Sequence, residues 1–188
     1  MNVDYINPFV SSVVNVFRTM LDLELFRGQL LVKTTRQPRY DISGIIGLSG
    51  KAAGTIVLCM ERELARLTTQ SLLDTEIRSA QITEDVIDAV GELVNIIAGG
   101  AKAQLAQYEM SVSLPTVITG KGHCIDFPRN TKPICIPFAC QAGYLDVEVG
   151  LFEVEVEQAP PEESAEAEAS SESETSGAED EGAAAAAS

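Results

Sequence analysis

The chain has no tryptophan, little histidine or cysteine, and far fewer basic than acidic residues. Its 188 residues include 13 lysines and arginines against 28 aspartates and glutamates, which gives a net charge of −15. Because binding to a phosphodiester backbone requires clustered lysine and arginine, nucleic-acid binding is not expected. No run of 18 apolar residues occurs, so no membrane-spanning helix is predicted. A basic region followed by an apolar stretch is missing at the start, so no secretion signal is predicted and we expect a cytoplasmic protein.

The cysteines do not form a metal-binding pattern. Cys59, Cys124, Cys135 and Cys140 contain no CxxC pair, and His123 is the one histidine of the chain. A zinc site needs several ligands at short spacings. The sequence therefore predicts no metal site, and the cysteines are expected to be free thiols.

Much of the acidity lies at the C-terminal end. Residues 157–188 contain ten of the 28 acidic residues, no lysine or arginine, and no large apolar side chain. Such a segment cannot bury enough apolar surface to offset the entropy lost on ordering. We therefore predict a folded domain over 1–156 and a disordered acidic tail over 157–188. The tail either keeps the chain soluble or acts as an electrostatic brush that favours encounters with basic partners.

Hydrophobic periodicity divides residues 1–156 into helices and strands. Apolar residues at three- and four-residue steps predict the first helix, with Asn7 as its cap and Pro8 as its first helical residue. In chain order the predicted elements are a helix over 7–21, strands over 23–33, 41–48 and 54–60, helices over 61–73 and 83–107, and strands over 111–119, 132–140 and 144–156.

The order of these elements predicts an α+β fold. It has two helix-plus-three-strand halves and a mostly antiparallel sheet with two long helices on one side. Pro115 interrupts one strand, which favours an edge position. In the last strand the apolar alternation changes phase, and this predicts a bulge near Gly150 and Leu151.

The helix predicted over 83–107 has an apolar face and, opposite it, a polar ridge. At 100° per residue Asp88, Glu92, Asn95 and Gly99 fall on one line, with spacings of four, three and four, and Lys102 continues it. A solvated ridge is normal on a surface helix, so the spacing alone does not distinguish a site from a solvent-exposed face.

Two residue types in this ridge indicate a binding surface. An interior helical glycine costs about 0.5–1 kcal/mol relative to alanine, yet this helix contains Gly91, Gly99 and Gly100. An exposed Gly99 would let the backbone of another molecule come close. Asn95 is a poor helix former whose amide has donors and an acceptor, and Glu92 offers a carboxylate for a partner's cation.

Residues 88–99 resemble the DxxxExxN motif of the CheC, CheX and FliY family of chemotaxis phosphatases, with Asp88, Glu92 and Asn95 at the three motif positions. The resemblance extends over 3–156 and is to a CheX-type domain. Its supporting stretches, in the order of the chain, are YINPF over 5–9, GIIGLSG over 44–50, SLPTV over 113–117 and IPF over 136–138.

The resemblance implies a phosphatase that removes the phosphoryl group from the phosphoaspartate of a CheY-like receiver domain, in chemotaxis or a related two-component pathway. It assigns Glu92 to the receiver's active-site lysine and Asn95 to the attacking water. Asp88 matches the first motif position and is interpreted as support or partner contact, and Gly99 is interpreted as partner contact because its backbone is open to another molecule. Mg²⁺ would be held by the receiver's acids. The alternative is a non-catalytic module that binds a phosphorylated receiver, and the retained Glu92 and Asn95 disfavour it. An independent hydrolase is disfavoured because no GxSxG or P-loop motif occurs.

The first helix does not carry a second copy of the motif. A motif that starts at Ser11 or Ser12 has no glutamate at its fifth position and no asparagine at its eighth. We therefore predict one site per chain, as in CheX and unlike two-site CheC. The resemblance also implies a homodimer built by joining sheets.

Overall fold

The computed structural model describes residues 5–77 and 81–154, which form three α-helices and an eight-stranded antiparallel sheet. In chain order the elements are α1 (Asn7–Met20), β1 (Phe26–Arg27), β2 (Leu31–Val32), β3 (Ile42–Ser49), β4 (Ala52–Met60), α2 (Arg62–Leu73), α3 (Glu84–Gln104), a 3-10 turn (Ala106–Tyr108), β5 (Ser111–Val112), β6 (Thr116–Thr119), β7 (Ile134–Cys140) and β8 (Gly143–Glu153). The predicted α+β class with a helix before each group of strands is confirmed. The predicted tail lies outside the described residues, and the boundary at 156 stays a prediction.

The long strands β4 and β8 form the centre of the sheet. The strand order is β1–β7–β8–β4–β3–β5, with β2 paired to β7 and β6 paired to β3. Helices cover one face, where alternate residues of the strands form the core with the apolar sides of α1 and α3. The largest fully buried side chains in this layer include Phe9, Phe17, Ile42, Ile56, Leu58, Leu93, Ile97 and Leu145. The sheet is therefore the platform that holds α3.

The N-termini of α1 and α3 both lack a side-chain capping hydrogen bond. Asn7 is the first helical residue and not the cap, because Ile6 already has helical dihedrals and its carbonyl accepts hydrogen bonds from Phe9 and Val10. Thr83 does occupy the N-cap position of α3, but its hydroxyl makes no capping hydrogen bond. Acidic residues in the first turn of α3 still suit the helix dipole.

The bulge predicted at Gly150 and Leu151 is wrong. Strand β8 pairs with β4 residue by residue without interruption. The apolar alternation of β8 changes phase because both faces of the sheet are covered at this end of the strand. Leu151 belongs to the core beneath the helices, whereas on the other face the ring of Phe127 lies so close to Gly150 that a Cβ atom there would be 2.6 Å from Phe127 Cδ1.

The face of the sheet away from the helices is covered by two irregular segments, 33–41 and 120–133. They are joined by a hydrogen bond of 2.9 Å from the Ile125 amide to the Arg36 carbonyl, and by an ion pair between Arg36 and Asp126. His123 attaches the second segment to the sheet, with Nε2 2.9 Å from Ser43 Oγ. This layer removes polar strand residues from water.

Two carboxylates of β8 are buried under this layer. Glu148 Oε1 lies 2.5 Å from Lys33 Nζ, and Asp146 Oδ2 lies 3.4 Å from Arg39 Nε. Burial raises the pKa of both carboxyls, and the neighbouring cations oppose this rise only in part. Among the described residues, the second oxygen of each carboxylate has no hydrogen-bond partner.

A pH-dependent stability is expected from Asp146. Because its pKa is higher in the folded chain than in the unfolded chain, the stability that it contributes is present below its ordinary pKa and is lost as the pH rises through the folded value. Asp146→Asn removes this titration. The free energy of unfolding of the variant relative to the wild type should therefore increase as the pH rises above the ordinary pKa of an aspartate. Urea unfolding at a series of pH values measures it, and a difference that is flat or decreases with pH would contradict the assignment.

Candidate functional site

Helix α3 buries its apolar face against the sheet and against α1, and this fixes the direction of its polar ridge. Val90 and Val94 lie on Gly44 of β3, where a Cβ atom would be 3.0 Å from Val94 Cγ1. Glycine at this strand position therefore lets the helix come close to the sheet. The apolar seam predicted from the sequence is confirmed, since the following residues are buried: Val86, Val90, Val94, Ile97, Ala101 and Leu105.

The ridge predicted to face a partner points away from the sheet. Asp88, Glu92 and Gly99 are exposed and Asn95 is half-buried. Within the described residues, the side chains of Asp88, Glu92 and Asn95 take part in no hydrogen bond or ion pair. Glu92 and Asn95 are one helical turn apart, so their side chains are neighbours on a rigid support. A carboxylate and a carboxamide are thus presented together on one side of the helix.

Two adjacent glycines of α3 have different surroundings. A Cβ atom on Gly100 would lie 2.4 Å from Ser12 Oγ, which donates a hydrogen bond of 2.8 Å to the Ile97 carbonyl. Gly100 therefore allows α1 to pack closely on α3. A Cβ atom on Gly99 would meet no atom within 4 Å. Packing within the described residues explains Gly100 but not Gly99, which leaves an open patch of backbone next to Asn95.

Alanine substitutions at these two glycines should have opposite effects on stability. Gly99→Ala should raise the free energy of unfolding by about 0.5–1 kcal/mol, because alanine favours the helix and the space is open. Gly100→Ala should lower it by about 1–3 kcal/mol, because it displaces the buried hydroxyl of Ser12 from its acceptor. Urea unfolding measures both values. Equal effects would contradict the assignment, and in a Ser12→Ala background the cost of Gly100→Ala should shrink.

The first helix has no ridge equivalent to that of α3. Ser12 is buried and bonded to α3, and Ser11 Oγ is 2.8 Å from Gln104 Oε1. Both serines that could start a second motif therefore serve the packing of α1 on α3.

The ridge lacks the groups that complete a hydrolytic site. In the segments 5–77 and 81–154, no group of three or more histidine, cysteine, aspartate or glutamate side chains is placed to hold a metal ion. Neither Glu92 nor Asn95 is within hydrogen-bonding distance of a nucleophilic side chain in that part of the chain. A site of this kind can orient water and bind a cation, but it needs a partner to supply the reacting group.

Sequence reasoning missed a hydroxyl–imidazole pair on the other face of the sheet. His123 Nδ1 lies 2.7 Å from the Gly120 carbonyl and therefore donates to it, which leaves Nε2 to accept from the hydroxyl of Ser43. Ser43 is completely buried, so a substrate cannot reach it. The pair holds the covering segment in place, and sequence spacing could not reveal it because the two residues are far apart in the chain.

Comparison with known proteins agrees with this architecture. Residues 42–139 match the family described as chemotaxis phosphatase CheX. A CheC-like superfamily protein from Shewanella sp. PV-4 has 35% identity over 81% of this chain and 99% of its own, with a TM-score of 0.74. CheX from Desulfovibrio desulfuricans has 32% identity over 79% of this chain and 99% of its own, with a TM-score of 0.72. The comparison with curated proteins gave no match.

A further similar structure contains a partner. It is the complex of CheX with CheY, BeF3 and Mg²⁺ from Borrelia burgdorferi, with 26% identity over 81% of this chain and 100% of that chain, and a TM-score of 0.67.

The α+β fold, with the long helix α3 packed on its sheet, is that of a CheC-like chemotaxis protein. Within this class the chain belongs to the CheX family. It is a phosphatase that acts on the phosphoaspartate of a CheY-like response regulator, so the family and activity implied by the resemblance are confirmed. No helix among the described residues is long and apolar enough to cross a bilayer.

Proposed function

We propose that Glu92 and Asn95 are the catalytic residues of this phosphatase and that Asp88 and Gly99 form part of its contact with the receiver. The observation that carries the proposal is that Glu92 and Asn95 lie side by side on α3 without any partner among the described residues. Unpaired polar groups on a rigid helix can enter the active site of a receiver without first breaking bonds within this chain.

Each side chain has one role in this proposal. The carboxylate of Glu92 pairs with the receiver's active-site lysine and fixes the orientation of the two proteins. The side-chain oxygen of Asn95 accepts a hydrogen bond from water and holds that water in line with the phosphorus. Positioning of this kind accounts for much of the catalysis in phosphoryl transfer. Mg²⁺ is held by the acids of the receiver, in keeping with the Mg²⁺ present in the CheX complex from Borrelia burgdorferi.

The proposal includes a homodimer in the cytoplasm, joined at the edge of the sheet formed by β1 and β2. These edge strands have two residues each and leave backbone groups free for pairing with another strand. Their neighbourhood also exposes large apolar side chains, at Phe26, Leu30, Leu31 and Val32. Light scattering of the full chain would measure the oligomeric state.

Phosphate release from phosphorylated receivers tests the function. Each receiver from the same genome is phosphorylated and followed with and without a substoichiometric amount of the full chain. We expect one receiver or a few to lose phosphate faster, with each chain acting on many receiver molecules. If the chain binds a phosphorylated receiver but does not accelerate release, the non-catalytic binding module is correct.

A further inference from the structure

An apolar groove runs beside the polar ridge of α3. It lies between the C-terminal ends of α1 and α2 and the first half of α3, and its cavity volume is about 360 Å³. Apolar side chains from all three helices line it, at Met20, Leu72, Leu73 and Ile96. Since each helix is fixed by the core beneath it, the groove is already formed in the unbound chain.

Two of the groove residues are large apolar side chains that are exposed to solvent. Met20 is the last residue of α1 and is 40% exposed, and Leu73 is the last residue of α2 and is 51% exposed. Contiguous exposed apolar surface of this kind marks a site of interaction. Contact with an apolar side chain of a partner would remove it from water.

The charged residues at the rim of the groove indicate which kind of side chain a partner presents next to its apolar one. Asp85, Asp88 and Glu92 follow one another along α3 and all line the groove, and no lysine or arginine within 5–77 and 81–154 lines it. The spacings of three and four residues place these carboxylates on one side of the helix. The rim is therefore complementary to a cationic group and would repel an acidic one.

The groove is continuous with the candidate catalytic ridge, because Asp88 and Glu92 belong to both. A receiver that brings its active-site lysine to Glu92 also covers the groove. We propose that the groove binds an apolar side chain of the receiver that is flanked by a lysine or arginine, and that Leu73 and Met20 thereby select the receiver. This inference rests on the proposed function, since it takes the receiver to be the partner at Glu92.

The groove should act on affinity and not on the chemical step. Leu73 and Met20 carry no group that can bind water, phosphate or a cation, so their contact is the same before and during the reaction. Loss of such uniform binding raises the KM and leaves kcat unchanged. This pattern separates a selecting residue from one that orients the reacting groups.

The test compares Leu73→Ser and Met20→Ser with Tyr144→Ser as the matched control. Tyr144 on β8 is 54% exposed, a fraction close to that of Leu73, but it does not line the groove. We expect Leu73→Ser to weaken binding to the beryllofluoride-loaded receiver by about tenfold, in line with the transfer of a leucine side chain from water. The rate at a saturating receiver concentration should stay within about twofold of the wild type. Asp85→Asn should also weaken binding and make it less dependent on salt.

The outcomes distinguish a failure of the groove proposal from a failure of the proposed phosphatase function. If the wild type accelerates phosphate release but Leu73→Ser and Met20→Ser bind as tightly as Tyr144→Ser, the groove proposal is wrong and the phosphatase function stands. If the saturating rate falls together with affinity, the groove shapes the catalytic site and does not select the receiver. If Leu73→Ser instead changes the mass measured by light scattering, the groove binds a second copy of the chain. A wild type that accelerates no receiver overturns the function and this inference together.

Discussion

Asn95→Ala is expected to abolish the accelerated dephosphorylation of the receiver while leaving binding of the receiver largely intact. The side chain of Asn95 is half-buried on α3, one turn from Glu92, and it has no partner among the described residues. Its carboxamide can hold a water molecule in line with the phosphorus, and the methyl group of alanine cannot. Orientation of this kind contributes several kcal/mol to lowering the barrier, so we expect the rate to fall by about a hundredfold or more.

Binding and turnover should be measured on the same Asn95→Ala protein. The surface formed by Asp88, Glu92 and Gly99 survives the substitution, so affinity for the beryllofluoride-loaded receiver should change little. Gln107→Ala is the matched control, because it removes an exposed amide just beyond α3 and off the ridge. Retained single-turnover dephosphorylation would remove Asn95 from catalysis. Loss of both binding and turnover would make it a contact residue instead.

The helix that carries the site was predictable because its signals are local. The apolar seam of α3 repeats over many turns, and the ridge follows from the same periodicity once the seam is known. The residues of the ridge then matched a motif. Their exposure and lack of partners follow from the same geometry, since residues opposite a buried seam face away from the sheet.

The features that the sequence did not reveal depend on contacts between distant segments. Lys33 meets Glu148 only because a covering segment crosses the far side of the sheet, and the alternation of β8 does not show that this side is covered. The predicted strand over 23–33 is split into β1 and β2, and Gly28 between them lies against Pro137 of β7. Single-sequence alternation carries no information on which loop covers a strand.

The groove beside α3 is a further example of this limit. Met20 and Leu73 read as the ends of two amphipathic helices, and nothing in their own segments shows that the ends meet over α3. A surface built from three helix ends depends on how the helices cross, and that is set by packing on the sheet. The groove was therefore less accessible from the sequence than the polar ridge, whose residues all lie on one helix.

Glu92→Gln removes the charge of Glu92 and keeps the shape of its side chain. The side chain is exposed and unpaired among the described residues, so the free energy of unfolding should stay within about 0.5 kcal/mol of the wild-type value. Affinity for the phosphorylated receiver should fall by about tenfold or more, because the receiver's lysine loses its counter-charge. Glu24→Gln, which also removes an exposed carboxylate, is the matched control and should bind as the wild type does.

The salt dependence of binding decides whether Glu92 acts through its charge. A carboxylate that pairs with lysine at the rim of an interface is screened as ionic strength rises, so wild-type affinity should fall with added salt. In Glu92→Gln this dependence should be smaller, and at high salt the variant and the wild type should bind the receiver with similar affinity. A variant that binds and dephosphorylates like the wild type would rule out the proposed lysine contact. A variant with weaker binding but an unchanged salt dependence would show that Glu92 contributes a neutral hydrogen bond. Unfolding of the variant would show that its carboxylate supports α3 itself, which its exposed and unpaired position argues against.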